Sequence, residues 1–195
     1  LDLGGGAGGV LDHFKDKNEV YLADFFDPYL EYAKDRGINI IKGELNDVTF
    51  KPDIIILSHV IEHWNDFENE IQNLIKIQKI NKTINYIEFP AVDSLKTGRR
   101  GGDFLEDIHI PHVYYFASYV FENLMNTYGF EKIYIDNESK SLFIYTGVKK
   151  ESKKFYQNVK EDLIKAEFKR KFFILKNIIK LFIPRFLLNL RKKKL

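Results

Sequence analysis

Short apolar runs alternate with stretches of helical periodicity through the first 150 residues of this 195-residue chain. Residues 19–24 (Glu-Val-Tyr-Leu-Ala-Asp) read as a strand ending in an acid, and 38–41 (Ile-Asn-Ile-Ile) as another. Between them 27–34 predicts a helix, with Asp27 as its cap, Pro28 at its first position and Gly37 beyond its end. Residues 53–57 form a continuous apolar run, the pattern of a strand buried on both faces. Helical spacing returns over 66–79. A strand over 85–89 is stopped by Pro90, and a helix over 116–128 ends at Gly129. Residues 131–135 and 142–147 lie too close together for an intervening helix, which predicts a hairpin.

Alternating strands and helices predict a mostly parallel sheet covered on both faces, and the closing pair implies one antiparallel strand in the edge region. The fold class is α/β, Rossmann-like and doubly wound. Ligands of such sheets bind beyond the carboxyl ends of the strands, where strand order reverses. That gathers the glycines of positions 4–8, Asp24, Glu44 and Ser58 around one crevice.

The last 45 residues differ in kind. Residues 1–150 carry 16 Lys and Arg against 24 Asp and Glu, whereas 151–195 carry 14 against 4. An acidic body does not suit nucleic acid, which needs a basic face. Domain organisation follows this split: 1–150 a ligand-binding domain, 151–195 a basic amphipathic helical tail. In the tail, 168–183 mixes Phe172, Phe173, Leu175, Ile178 and Ile179 with Lys169, Lys176 and Lys180, before Pro184 and a final Arg191-Lys192-Lys193-Lys194. Residues 168–195 therefore read as a segment that meets an anionic membrane surface, or as one whose apolar face docks on the body. The chain has no cysteine, which excludes a disulfide frame and a thiolate zinc site and fits a cytoplasmic protein, peripheral at the inner membrane face if the tail binds there. No run approaches the ~18 apolar residues of a membrane span. The first residue falls inside a strand, so residues upstream of it are expected. No oligomeric state is assigned.

Candidate chemistry begins with Leu1-Asp2-Leu3-Gly4-Gly5-Gly6-Ala7-Gly8-Gly9, which leads into an apolar-patterned helix start over 10–14. Such a turn brings backbone N–H groups and a helix N-terminus to a ligand. Gly4, Gly6 and Gly9 fit the G-x-G-x-x-G of a dinucleotide site, while Asp2, Gly4, Gly6 and Gly8 fit D-x-G-x-G-x-G. Asp24 does not separate the two, because an acid there serves a ribose in either case.

More of the chain joins the second motif. The segments are Asp2 to Gly8, Asp24, Gly43-Glu44, the 53–57 strand followed by Ser58-His59-Val60-Ile61-Glu62-His63, then His112-Val113-Tyr114-Tyr115-Phe116 and Tyr128-Gly129-Phe130-Glu131. With these, residues 1 to about 148 resemble the class I S-adenosylmethionine-dependent methyltransferases, in the small-molecule and glycan-modifying branch with a Glu-His pair after the fourth strand. The resemblance implies a seven-stranded sheet, S-adenosylmethionine as cofactor, and methyl transfer to a small polar acceptor such as a sugar, nucleotide-sugar or glycan intermediate. It implies that Gly4, Gly5, Gly6 and Gly8 admit the cofactor's amino and carboxypropyl end, and that Asp2 orients the turn or accepts from the ammonium. Asp24, with Phe25 beside it, would meet the ribose. Glu44 and Leu45 would flank the adenine, and Ser58 and His59 the floor near the methyl group. Gly8 then serves as the third motif glycine and Gly9 is left for helix packing. A non-catalytic module of the same fold and an NAD-dependent sugar enzyme remain as other readings.

His59, Glu62 and His63 also spell the H-x-x-E-H of an inverted zinc-protease motif, which requires a helix. Here the residues follow a strand, so Glu62 and His63 are read as shaping the pocket floor. No metal is assigned, although relatives in a quinone-modifying branch would hold one here. A hydroxyl acceptor must lose its proton during methyl transfer, and a neutral imidazole suits that task. His112, His109 and His59 are the candidates, with a structural role beneath the next helix as the other reading of His112. Arg99 and Arg100, in a glycine-rich loop, read as binding an anionic acceptor, or as a solvated loop.

Overall fold

The computed structural model describes residues 1–92, 103–136 and 139–181. Its strands are β1 (Asp2–Leu3), β2 (Tyr21–Asp24), β3 (Asn39–Lys42), β4 (Ile54–Ser58), β5 (Ile84–Glu88), β6 (Phe130–Ile135) and β7 (Ser141–Tyr145). Its helices are α1 (Asp27–Asp35), α2 (Phe67–Lys76), α3 (Ser118–Thr127) and α4 (Tyr156–Leu181). The seven strands form one sheet in the order β3-β2-β1-β4-β5-β7-β6. β1 to β5 are parallel, and β7 alone runs against its neighbours. The hairpin inserts β7 beside β5, so β6 takes the edge and the antiparallel strand lies one place inside it. Strand order reverses between β1 and β4, which opens the crevice at their carboxyl ends.

The main core lies between the sheet and α2 and α3. Ile55, Leu57, Ile71, Leu74, Ile87, Phe89, Phe121, Met125 and Phe143 meet there and are almost fully buried. A smaller cluster of Leu11, Val20, Leu22, Leu30, Ala33 and Ile38 holds α1 against β2.

Several elements depart from the periodicity. After the glycine run there is no α-helix at 10–14 but one 3-10 turn, Leu11–His13, in which only Leu11 is buried. Five glycines in nine residues make helix nucleation costly, and one buried residue cannot offset it. Gly9 packs against nothing, for a Cβ there would meet no atom within 4 Å. The strand expected to be buried on both faces is buried on one. Ile55 and Leu57 point into the core, while Ile54 is about half exposed. The Ile54–Ile56 face opens on a cavity of about 520 Å³ with Leu11, Phe14, Tyr21 and Phe50, where a single turn replaces a covering helix.

Asp27 begins α1 rather than capping it, and the cap position falls to Phe26. Asp66 does cap α2, its Oδ1 accepting from Asn69 N at 3.1 Å. That helix stops at Lys76, short of 79, as Gln78 turns inward to pair with Asn85 through two amide bonds of 3.0 and 2.9 Å. α3 starts at Ser118, because Phe116 lies in an aromatic cluster with Phe89, Tyr114 and Phe121.

Candidate active site

The crevice at the switch point is a cavity of about 410 Å³. Gly4 after β1, Ala23, Asp24 and Phe25 at the end of β2, and Gly43 and Glu44 after β3 form one wall. His59, Val60, His63, Trp64, Asn65, Asp66 and Glu70, between β4 and the first turn of α2, form the other. Of the candidate cofactor residues, Gly4, Asp24, Phe25, Glu44 and His59 line it. Asn65, Asp66 and Glu70 are additions. Their signal was positional: a helix that follows a strand at the switch point presents its N-terminal turn to the crevice.

The glycine turn is built for close approach. Gly4, Gly6 and Gly8 have φ of +67°, +56° and +77°, a region that side chains disfavour. At Gly5 a Cβ would lie 2.3 Å from Oδ2 of Asp2, so the turn rests directly on that carboxyl. Asp2 is 2% exposed, and burial, aided by Asp24, pushes its pKa up to about 6. It lies beneath the turn rather than in the cavity wall. Asp24 braces the turn from the other side: Oδ2 accepts from Gly6 N at 3.1 Å and Oδ1 from Phe26 N at 3.0 Å. Glu44 is the N-cap of a 3-10 turn, in a reciprocal capping box with Asp47. The next residue, Leu45, is 1% exposed in the main core, so its side chain does not face the cavity.

Beyond β4 the chain bends sharply. His59 has φ +57°, rare for a side chain of this size. Its N–H donates to Glu88 O at 2.8 Å, and its Nδ1 lies 3.2 Å from Oε1 of Glu62. Nε2 is 3.9 Å from Oε1 of Glu88. Glu88 in turn accepts from Ser58 Oγ at 3.3 Å and Tyr86 Oη at 2.8 Å, which turns Ser58 toward β5 and away from the cavity lining.

Glu62 is 1% exposed, and its Oε2 has no hydrogen-bond partner among the described residues. Its backbone carbonyl receives Val113 N at 2.8 Å, which pins the 108–116 loop across the floor. That bond brings His112 edge-on to His63, with ring centroids 4.9 Å apart. His63 donates Nδ1–H to Pro111 O at 3.1 Å. Donor atoms of Glu62, His63 and His112 lie within 4.8 Å of one another, a group able to hold a cation. Burial, with the neighbouring imidazoles and against Glu62, pulls the His112 pKa below its ordinary value. His112 thus stacks behind His63 and outside the cavity lining, and His109 packs on its far side at 5.2 Å. Arg99 and Arg100 lie outside the described residues.

A family model described as a methyltransferase domain matches residues 1–135. No curated protein matches the chain. Among solved structures, a proposed methyltransferase of Haloferax volcanii in complex with the Trm112 methyltransferase activator superposes with a TM-score of 0.56 at 15% identity. It covers 69% of this chain, and this chain spans 62% of its length. A Thermotoga maritima protein described as an S-adenosylmethionine-dependent methyltransferase, possible histamine N-methyltransferase, gives 0.53 at 18% identity, covering 73% and 78%. The plantazolicin methyltransferase BamL, solved with a triazolic substrate analog and S-adenosylhomocysteine, gives 0.54 at 17% identity, covering 85% and 68%. With the family model over more than two thirds of its length and the β3-β2-β1-β4-β5-β7-β6 sheet of the class I S-adenosylmethionine-dependent enzymes, the chain belongs to the methyltransferase domain family.

Proposed function

We propose that the protein transfers a methyl group from S-adenosylmethionine to a nucleophile on a small polar acceptor, a sugar, nucleotide-sugar or glycan intermediate. The observation that carries this reading is the cavity that Gly4, Asp24, Glu44 and His59 line at the switch point of the sheet. The residues fit the cofactor. Gly4 lines the cavity with no side chain of its own, Asp24 keeps acceptor capacity toward the cavity, and Trp64 and Val60 give an apolar wall for a planar ring. Bound there, the cofactor supplies an electrophilic methyl group. The protein's own part is to orient the acceptor and remove its proton. His59 stands at the cavity with Nδ1 3.2 Å from Glu62 Oε1 and Nε2 3.9 Å from Glu88 Oε1; with Nδ1–H donated to Glu62, Nε2 is the nitrogen that would take the acceptor's proton. Asn65, Asp66 and Glu70 supply hydrogen-bond partners for hydroxyl groups. Orientation supplies much of the rate where the acceptor is already acidic.

Calorimetric titration with S-adenosylhomocysteine tests the first half, and product mass spectrometry with labelled cofactor and cell extract the second. Absence of S-adenosylhomocysteine binding overturns the reading. Binding without turnover on any extract favours a non-catalytic module of the same fold, and binding of NAD in its place favours the nicotinamide enzyme.

A further inference from the structure

α4 shows two opposite faces. One docks on the body: Val159 packs with the Val92 and Ala117 cluster, and Asp162 accepts from Tyr119 Oη at 3.1 Å. Ala166 is buried, and Arg170 lies 3.9 Å from Asp103. Half a turn away, Ile164, Phe168, Phe172, Leu175 and Ile179 form one row at helical spacing, each more than half exposed and Phe168 73% exposed. Lys165, Lys169 and Lys176 border that row on one side and Lys171 on the other. The same helix thus buries its more polar face and presents its most apolar one, the reverse of a helix folded for water.

Charge decides what covers the row. Residues 168–195 contain ten Lys and Arg and no acid. The body over 1–150, with its excess of acids, is the nearest anionic surface, yet its described residues leave the row bare. Glu161 and Glu167 are already taken up by Lys165 and Lys171 of the same helix, at 3.9 and 3.7 Å, and 168–181 holds no further acid, so a second copy would set lysine against lysine. A polyanion such as nucleic acid would satisfy the lysines and leave Phe168 and Phe172 in water. A bilayer with anionic headgroups meets both needs, since the rings enter the acyl boundary while the lysine stems reach up to phosphate. Among the described residues no helix is long and apolar enough to cross a membrane, so the contact is in the plane of the surface.

We propose that α4 lies on an anionic lipid surface through the Ile164, Phe168, Phe172, Leu175 and Ile179 row, with its bordering lysines at the headgroups. The proposal stands independently of the methyl-transfer reading.

Co-sedimentation of the full chain with vesicles of phosphatidylcholine, with and without phosphatidylserine, tests it. The chain is expected to pellet with the anionic vesicles and to be released as salt rises. Phe168→Ser/Phe172→Ser, at exposed positions, is expected to weaken binding at least about tenfold while the helical circular dichroism is kept. Lys169→Glu/Lys176→Glu is expected to remove the preference for phosphatidylserine. Failure to pellet with anionic vesicles, or wild-type pelleting by the phenylalanine variant, overturns the proposal. A dimer in sedimentation velocity that the phenylalanine variant abolishes, with no vesicle binding, overturns it in favour of a seam between copies. RNA binding unaffected by that variant, again without vesicle binding, overturns it in favour of a polyanion.

Discussion

Nδ1 of His59 lies 3.2 Å from Oε1 of Glu62, joining a residue in a left-handed backbone conformation to a carboxylate that is 1% exposed. A strained φ costs roughly 1–3 kcal/mol and persists only where surrounding contacts hold it. Here Glu62 on the side chain and Glu88 O on the backbone N–H hold it. The pair holds the imidazole at the cavity, its Nδ1 toward Glu62 and its Nε2 3.9 Å from Glu88 Oε1. His59→Gln is therefore expected to lower kcat about 100-fold or more while leaving S-adenosylhomocysteine affinity within a few-fold. Glu62→Gln keeps the shape but not the charge, and about a tenfold loss in kcat is expected. Steady-state kinetics beside calorimetry would check both. Equal losses in kcat and cofactor affinity would assign His59 to cofactor binding instead.

Asp24 holds the glycine turn and the start of α1 with its two oxygens, through Gly6 N and Phe26 N. Asp24→Ala is expected to weaken S-adenosylhomocysteine binding at least about tenfold and to cost about 1–3 kcal/mol of stability through the orphaned N–H groups. Asp24→Asn, which keeps one acceptor, should fall between. An alanine variant with unchanged affinity would remove Asp24 from the cofactor site.

Gly5 and Gly9, at opposite ends of the same turn, behave oppositely. A Cβ on Gly5 would lie 2.3 Å from Asp2 Oδ2 and 2.8 Å from Leu22 Cδ1, while one on Gly9 would touch nothing. Gly5→Ala is expected to destabilise by about 1–3 kcal/mol and Gly9→Ala by no more than about 0.5 kcal/mol. Urea melts of the two variants would show it, and equal midpoints would contradict the close packing of the turn on Asp2.

Asp2 makes stability depend on pH. Its carboxyl has a pKa of about 6 in the fold against 3.8 in the unfolded reference, chiefly through burial. The folded chain therefore binds more protons than the unfolded one between those values, so this group's contribution to stability falls as pH rises through the window. Above it the cost of the buried charge is complete. Asp2→Asn carries no charge, and its stability relative to wild type is expected to grow across the same window, by on the order of 3 kcal/mol. Melts on either side of the window would measure this. A difference that does not change with pH would contradict it.

Local pattern made much of the protein legible. Strand and helix types follow from periods of two and 3.6 that neighbouring residues set among themselves, and the six strands given bounds from the sequence, β2 to β7, each lie within two residues of them. The glycine turn and the acid ending β2 were visible for the same reason, since each is a chemical requirement of a short segment. The 3-10 turn after the glycines was missed because a strong apolar pattern at Val10, Leu11 and Phe14 says nothing of whether a helix has a surface to cover, and only Leu11 found one.

The sequence by itself determined the α/β class, the order of elements and the charge split between body and tail, all properties of residues close together in the chain. Only the tertiary structure decided that β7 inserts beside β5, that Leu45 turns into the core while Glu44 faces the cavity, and that His112 stands behind His63 rather than over the cavity. Each is a contact between residues far apart in sequence. The bond from Val113 N to Glu62 O spans 51 residues, and no periodicity reports where sheet pairing and core packing will bring such segments together.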